Sequence, residues 1–310
     1  MSEYNLEGKM DKWGPFEEKE SKWVLFTVGN PYEGHGLALP RNIDDLHAKK
    51  AANDLEFTTG QRYVAHIPYT TDRVGDIAKE WSPYYIPWEE FYQKSVEFMK
   101  YFIELLRARG EEVSRVMLII GHGGNYDLIE RKCQRAIRSE LDLSRFVSVT
   151  ALVSRRQAGL VIEEVKKLAK TYIENNGPQY GFDTAEDLAD FFMRILLSAG
   201  HASHTEYSLA AALGVCDMEK VAIMNQLLEK DFEGALKKWP PIGGLGGYLM
   251  AGGKYTDALG TEEDDKYGLW SCLNALRELN NGKLIVIPEL GELIYRLSVK
   301  TKTELIYKHI

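Results

Sequence analysis

Four side chains suited to holding a divalent cation follow two apolar runs of the chain. Trp23-Val-Leu-Phe-Thr-Val28 leads into Glu33-Gly-His35 and then Asp44, and Val116-Met-Leu-Ile-Ile120 leads at once into Gly-His122-Gly-Gly-Asn. Two carboxylates and two imidazoles form a mixed oxygen and nitrogen donor set. Such a set suits Zn²⁺, Mn²⁺ or Fe²⁺ and does not suit a structural thiolate site. Each residue also has an ordinary reading: Glu33 as a solvated loop acid, Asp44 as a first-turn acid favoured by the helix dipole, His122 as a turn residue. The joint occurrence favours a ligand, because the small residues around His122 let backbone approach one closely.

A third cluster is Gly200-His-Ala-Ser-His-Thr-Glu206-Tyr-Ser208. A histidine there could serve as general acid or base, His201 first and His204 as the backup. Ser203-x-x-Glu206 is equally a capping box for the helix that follows.

The elements that must position these residues can be read from the pattern. Strands are expected at 23–28, 63–67, 116–120, 146–153 and 284–287. Helices are expected near 43–54, 88–109, 126–139, 157–175, 185–199, 206–213, 218–229 and 264–280, with 289–308 ambiguous. Strands alternating with helices predict an α/β fold with a mainly parallel sheet. In such sheets ligands bind beyond the carboxyl ends of the strands, where Glu33, His35, Asp44 and His122 fall. The long loop 68–87 is rich in aromatics and supplies Arg73, Tyr84 and Tyr85 as candidate substrate contacts. Arg155, after a strand end, joins them. Pro241-Ile-Gly-Gly-Leu-Gly-Gly-Tyr has no strand before it, so it reads as a substrate-covering loop and not as a dinucleotide site.

Composition narrows the class. The 310 residues are 45% hydrophobic and 27% charged, with a net charge of −8 and no basic tract, which argues against nucleic acid. Three cysteines without a C-x-x-C pair fit a reducing compartment. The polar N-terminus is unlike a signal peptide and no apolar run reaches the ~18–20 residues of a membrane span, so a cytoplasmic location without membrane contact is expected. One domain, 1–310, is expected, with an N-terminal arm over 1–22 and a C-terminal extension over about 282–310.

The motifs resemble the creatininase (creatinine amidohydrolase) family. Its Gly-x-x-Glu-x-His-Gly-x-x-Leu-Pro motif, with an Asp nine residues past the His, is similar to Gly29-Asn-Pro-Tyr-Glu33-Gly-His35-Gly-Leu-Ala-Leu39-Pro40 and Asp44. Its Asn-Gly-His-Gly-Gly-Asn resembles Ile120-Gly-His122-Gly-Gly-Asn125, and its His-Ala-Gly-x-x-Glu-Thr-Ser resembles His201-Ala-Ser-His-Thr-Glu206-Tyr-Ser208. The resemblance implies a three-layer α/β/α sandwich, commonly a hexamer, so a homo-oligomer is expected. It also implies two metal ions: Glu33, Asp44 and His122 would hold one, and His35 and Asp44 the other, with Asp44 bridging. His201 would match the acid/base histidine, with Glu206 as the carboxylate beside it. The chain departs from creatininase at Gly124, where a glutamate completes the second site; that ion is then weakly held, absent, or completed by Glu206.

The expected activity is hydrolysis by metal-activated water of a C–C or C–N bond beside a carbonyl in a small cyclic substrate, using one or two Zn or Mn ions, or Fe. An inositol-derived cyclic diketone, as in the 3-dehydro-scyllo-inosose hydrolase branch, is the leading substrate. A cyclic amide or a formylaminopyrimidine is the alternative, and a non-catalytic metal-containing binding protein is a third reading.

Overall fold

The computed structural model describes residues 23–153, 157–198, 200–251, 255–265 and 267–308. The expected N-terminal arm and Arg155 lie outside them. Four strands, β1 (Trp23–Val28), β2 (Arg62–Ile67), β3 (Arg115–Ile120) and β4 (Arg145–Thr150), form one all-parallel sheet in the order β2-β1-β3-β4. The expected α/β class and parallel sheet are therefore present.

Alternation along the strands divides the core. Val24, Phe26, Val28, Val116, Leu118 and Ile120 bury against helices α2 (Trp88–Ala108) and α3 (Arg131–Glu140). Trp23, Leu25, Met117 and Ile119 point the other way, onto α1 (Ile43–Thr59) and the C-terminal helix. The expected helix over 126–139 is two pieces, a 3-10 segment at Gly123–Ile129 and then α3.

The helices α4 (Ala158–Asn176), α5 (Ala185–Leu197), α6 (His204–Ala212), α7 (Met218–Lys230), α8 (Phe232–Lys238), α9 (Gly244–Met250), α10 (Thr256–Leu259) and α11 (Leu269–Glu278) follow β4. The ambiguous stretch becomes α12 (Pro288–Tyr307), with Pro at its start, where a missing N–H costs nothing. It packs on α6, α1 and α4. The buried Lys302 of α12 donates to the Ala151 and Leu152 carbonyls at 3.3 and 3.2 Å and to Ser298 Oγ at 2.6 Å. This pins the turn at the end of β4, and burial pushes the Lys302 pKa down to about 7.

The expected strand at 284–287 is not one. Leu284, Ile285 and Ile287 are buried, but side chains and not a neighbouring strand satisfy its backbone. Leu284 N–H donates to Asn225 Oδ1, Ile285 N–H to His204 Nδ1, and Ile287 N–H to Ser208 Oγ, at 2.7, 3.0 and 3.0 Å. A buried N–H must find an acceptor, and polar groups on α6 and α7 supply it here. No described helix is long and apolar enough to cross a membrane.

Candidate metal centre

The carboxyl ends of β1 and β3 are neighbours, which brings their loops together. Gly121 N–H donates to the Val28 carbonyl at 2.8 Å, and the first turn of α1 sits directly on this corner. A Cβ on Gly121 would lie 2.0 Å from the Asp44 carbonyl oxygen, so only glycine permits this approach. Asp44 is thereby placed beside His122 and the loop carrying Glu33 and His35.

His122 Nδ1 faces Glu33 Oε2 and Asp44 Oδ2, both at 3.0 Å. His35 Nε2 faces Asp44 Oδ1 at 3.6 Å and Glu206 Oε1 at 3.7 Å. Among the described residues the donor atoms of Glu33, Asp44 and His122 converge closely enough to hold an ion. So do those of His35, Asp44 and Glu206, and those of Glu33, His35 and His201. Asp44 belongs to two of these groups and turns a different oxygen to each histidine.

The hydrogen bonds fix the tautomers that matter. His35 Nδ1 lies 3.3 Å from the Glu33 carbonyl, which can only accept, so Nδ1 carries the proton and Nε2 is left for a ligand. His201 Nε2 lies 2.6 Å from the Gly34 carbonyl and by the same logic is the protonated nitrogen. His201 Nδ1 then points a lone pair at Glu33 Oε1, 3.3 Å away. Two acceptors in that position require a proton or a cation between them. The rings of His35 and His201 lie against each other with centroids 4.1 Å apart.

Burial makes this arrangement costly without a positive charge. Glu33 is 0% exposed and Asp44 3%; Glu33 Oε1 has no hydrogen-bond donor, and Asp44 Oδ2 has only the His122 Nδ1 that it shares with Glu33. Buried charges persist when paired or coordinated to metal. Burial pushes Glu33 and Glu206 up to about 7, against the pull of neighbouring histidines. Burial would depress His35, but the carboxylates of Glu206 and Asp44 outweigh it and lift it to about 10. His122 is likewise raised by Glu33 and Asp44 despite burial. Burial and the charge of His35 hold His201 well below its ordinary value. The cluster thus gathers protons where a cation would displace them, as a metal site does. The oxygen and imidazole donors and the orphaned Glu33 Oε1 fit a divalent ion.

Glu206 caps a helix and also faces the cluster. Its Oε2 accepts the Ala202 N–H at 2.6 Å while Ser203 Oγ accepts the Glu206 N–H at 3.4 Å, a capping arrangement for α6. Its Oε1 meanwhile faces His35. At Gly124 a Cβ would lie 2.4 Å from His122 Nε2, 2.6 Å from the Thr71 carbonyl oxygen and 2.9 Å from Asp72 Cα. The 71–72 segment fills that space, so no side chain can act from position 124, and Glu206 stands beside His35 and Asp44 instead.

The other expected site residues lie elsewhere. His204 is buried and accepts the Ile285 N–H through Nδ1, with burial pushing its pKa down to about 4. Arg73 pairs with Asp127 on an exposed edge. Tyr84 is 62% exposed and meets Tyr32 edge-on, and Tyr85 packs with Ala78 and Trp81. Sequence reasoning assigned no role to Asn30, whose amide donates to Glu33 Oε2 at 2.9 Å and Ser82 Oγ at 2.8 Å. It also missed Asn125, which accepts the Thr71 N–H at 3.0 Å and donates to the Gly29 carbonyl at 2.8 Å. The signal for both was a polar amide in the turn after a buried strand.

No family model matches the chain, and no curated protein does. Among solved structures it is similar to a creatinine amidohydrolase (creatininase) at 15% identity and TM-score 0.46, covering 94% of this chain and 91% of that one. A creatininase variant described as Zn–Zn type matches at 15% identity and TM-score 0.46, over 93% and 91%. A putative creatinine amidohydrolase from Bacteroides fragilis matches at 11% identity and TM-score 0.43, over 94% and 90%.

Proposed function

We propose that the chain is a metal-dependent hydrolase acting on a C–N bond beside a carbonyl in a small cyclic amide. The observation that carries this reading is the pair of donor groups joined by Asp44, with a buried Glu33 Oε1 that has no hydrogen-bond donor and one His122 nitrogen shared between Glu33 and Asp44. Glu33, Asp44 and His122 would hold one divalent ion, zinc or manganese, and His35, Asp44 and Glu206 a second. What such an ion supplies is Lewis acidity: it polarises a carbonyl and lets water ionise near neutral pH.

The chain's own residues supply the rest. His35 is kept in the ligating tautomer by the Glu33 carbonyl. His201, its Nε2 committed to Gly34, can take up or release a proton only at Nδ1, beside Glu33. Protonation of a leaving nitrogen is the step we assign to it. An amide is favoured over an inositol-derived diketone because the polar side chains expected around a polyol ring are engaged elsewhere: Arg73 with Asp127, Tyr84 at the surface and Tyr85 in an apolar cluster.

The test pairs elemental analysis with assays on creatinine, a formylaminopyrimidine and the inositol diketone. His122→Ala should lose metal. His201→Ala should keep metal and lose about 10²–10⁴-fold in rate, the usual worth of general acid–base catalysis. A parent protein that binds no divalent ion refutes the reading. Turnover of the diketone alone moves the chemistry to C–C cleavage, and metal with no turnover leaves a binding protein.

A further inference from the structure

His122 presents Nδ1 to Glu33 and Asp44, so an ion held there occupies that nitrogen and the remaining proton must sit on Nε2. Nε2 is buried and has no hydrogen-bond partner. The carboxylate facing it is Asp72, whose Oδ2 lies 3.7 Å away with its side chain as enclosed as the histidine's. That is just outside hydrogen-bonding reach, and contacts of this kind tighten when a site is loaded.

We propose that Asp72 is the positioning residue of the metal centre: it accepts the Nε2–H of His122 and so fixes the tautomer and orientation in which Nδ1 ligates. The proposal rests on the metal-site reading above and extends it to a loop carrying no ligand of its own. Asp72 is well anchored for the task. Its Oδ1 accepts the Val74 N–H at 3.1 Å, its carbonyl accepts the Gly75 N–H at 3.2 Å, and the preceding Thr71 N–H is held by Asn125. Asn125 belongs to the same turn as His122, so ligand and partner are tied to one hub. The absence of a side chain at position 124 is what lets Asp72 come this close. Ligating histidines commonly give their second N–H to a carboxylate, and loss of that partner typically weakens metal binding 10–100-fold.

The discriminating variant is Asp72→Asn. Its amide oxygen can still accept the Val74 N–H, so the turn survives, while the charge facing His122 is gone. Zinc affinity is measured by competition with a chromophoric chelator, and apoprotein stability by urea unfolding. The expected result is zinc binding 10–100-fold weaker than the parent with unchanged apoprotein stability. Asp127→Asn is the control, since it breaks the Arg73 pair on the same loop without touching His122 and should leave zinc affinity at the parental value. Should Asp72→Asn not fold, Asp72→Glu replaces it, and recovery of most of the affinity by that variant is then required. Parental affinity in Asp72→Asn overturns the proposal and leaves the Thr71 carbonyl as the acceptor. Equal losses in the two asparagine variants also overturn it, by reducing the effect to loop packing. A parent that binds no zinc removes the metal-site reading first, and that outcome is seen before any variant is made.

Discussion

Gly124→Ala is the sharpest single perturbation of the site. Glycine is not needed at 124 for its conformation, because the backbone there is not in the left-handed region. The effect of a methyl is therefore steric. It would lie 2.4 Å from His122 Nε2, 2.6 Å from the Thr71 oxygen and 2.9 Å from Asp72 Cα. Two of these three atoms are backbone and cannot swing aside, so the methyl must displace either the 71–72 segment or the imidazole. Overpacking of this kind costs about 1–3 kcal/mol. Removing glycine's freedom from the unfolded chain offsets roughly 0.4–1 kcal/mol of that. The net expectation is a loss of about 1–2 kcal/mol, near tenfold in the folding equilibrium. Urea unfolding followed by tryptophan fluorescence measures it, and chelator competition measures the expected loss of zinc affinity as His122 is pushed away from Glu33 and Asp44. Gly124→Glu, with a larger side chain in the same space, should be worse on both counts. If Gly124→Ala is as stable as the parent and binds zinc equally well, the packing of 71–72 on the His122 turn is not as described and the case for Glu206 weakens with it.

Two further outcomes concern pH. His204 has a folded pKa of about 4 against an ordinary 6.5, so its contribution is complete above pH 6.5 and is lost as pH falls toward 4. His204→Ala should cost about 1–3 kcal/mol at pH 7 by orphaning the Ile285 N–H, and should show a shallower stability loss between pH 6.5 and 4. His47, buried and depressed to about 4, keeps part of that slope. An unchanged slope by urea unfolding across that range would rule out a buried neutral His204. Lys302 has a folded pKa of about 7 against 10.5, so the unfolded chain binds the extra proton and stability rises with pH between those values. Lys302→Met should flatten that rise between pH 7 and 9, whatever it does to stability at one pH, and a parental slope would refute the assignment.

The site was legible where chemistry and punctuation coincide. β1 and β3 are apolar runs ended by glycine, and the residues just past them are the ones that converge, because parallel pairing puts both ends on one edge. What escaped depended on contacts far apart in sequence. Residues 284–287 have the composition of a strand, and only the polar groups of Asn225, His204 and Ser208 reveal why they pair with none. Arg73 has the type and loop position of a substrate contact, and its pairing with Asp127 depends on a residue far along the chain. Asp72 carries no local sign of its role, since its partner lies on another loop. Glu206 could not be decided between a cap and a site residue because one of its oxygens accepts the Ala202 N–H at the start of α6 and the other faces His35.

The approach of Gly121 to the Asp44 carbonyl has a consequence for how this protein can change over time. The spacing between Asp44 and the end of β3 is set by main chain resting on main chain, with no side chain between them. Core side chains on the two faces of the sheet can be exchanged for others of similar volume, and layers can slide by small amounts, with the corner left in place. Mutational tolerance should therefore be uneven: high along the helices that cover the sheet, and near zero at position 121, where even a methyl would collide with the backbone carrying Asp44. A saturation library scored for metal retention would display this as intolerance at Gly121 as complete as at the proposed ligand positions, next to a permissive strand, a pattern that a site held in place by side-chain packing would not give.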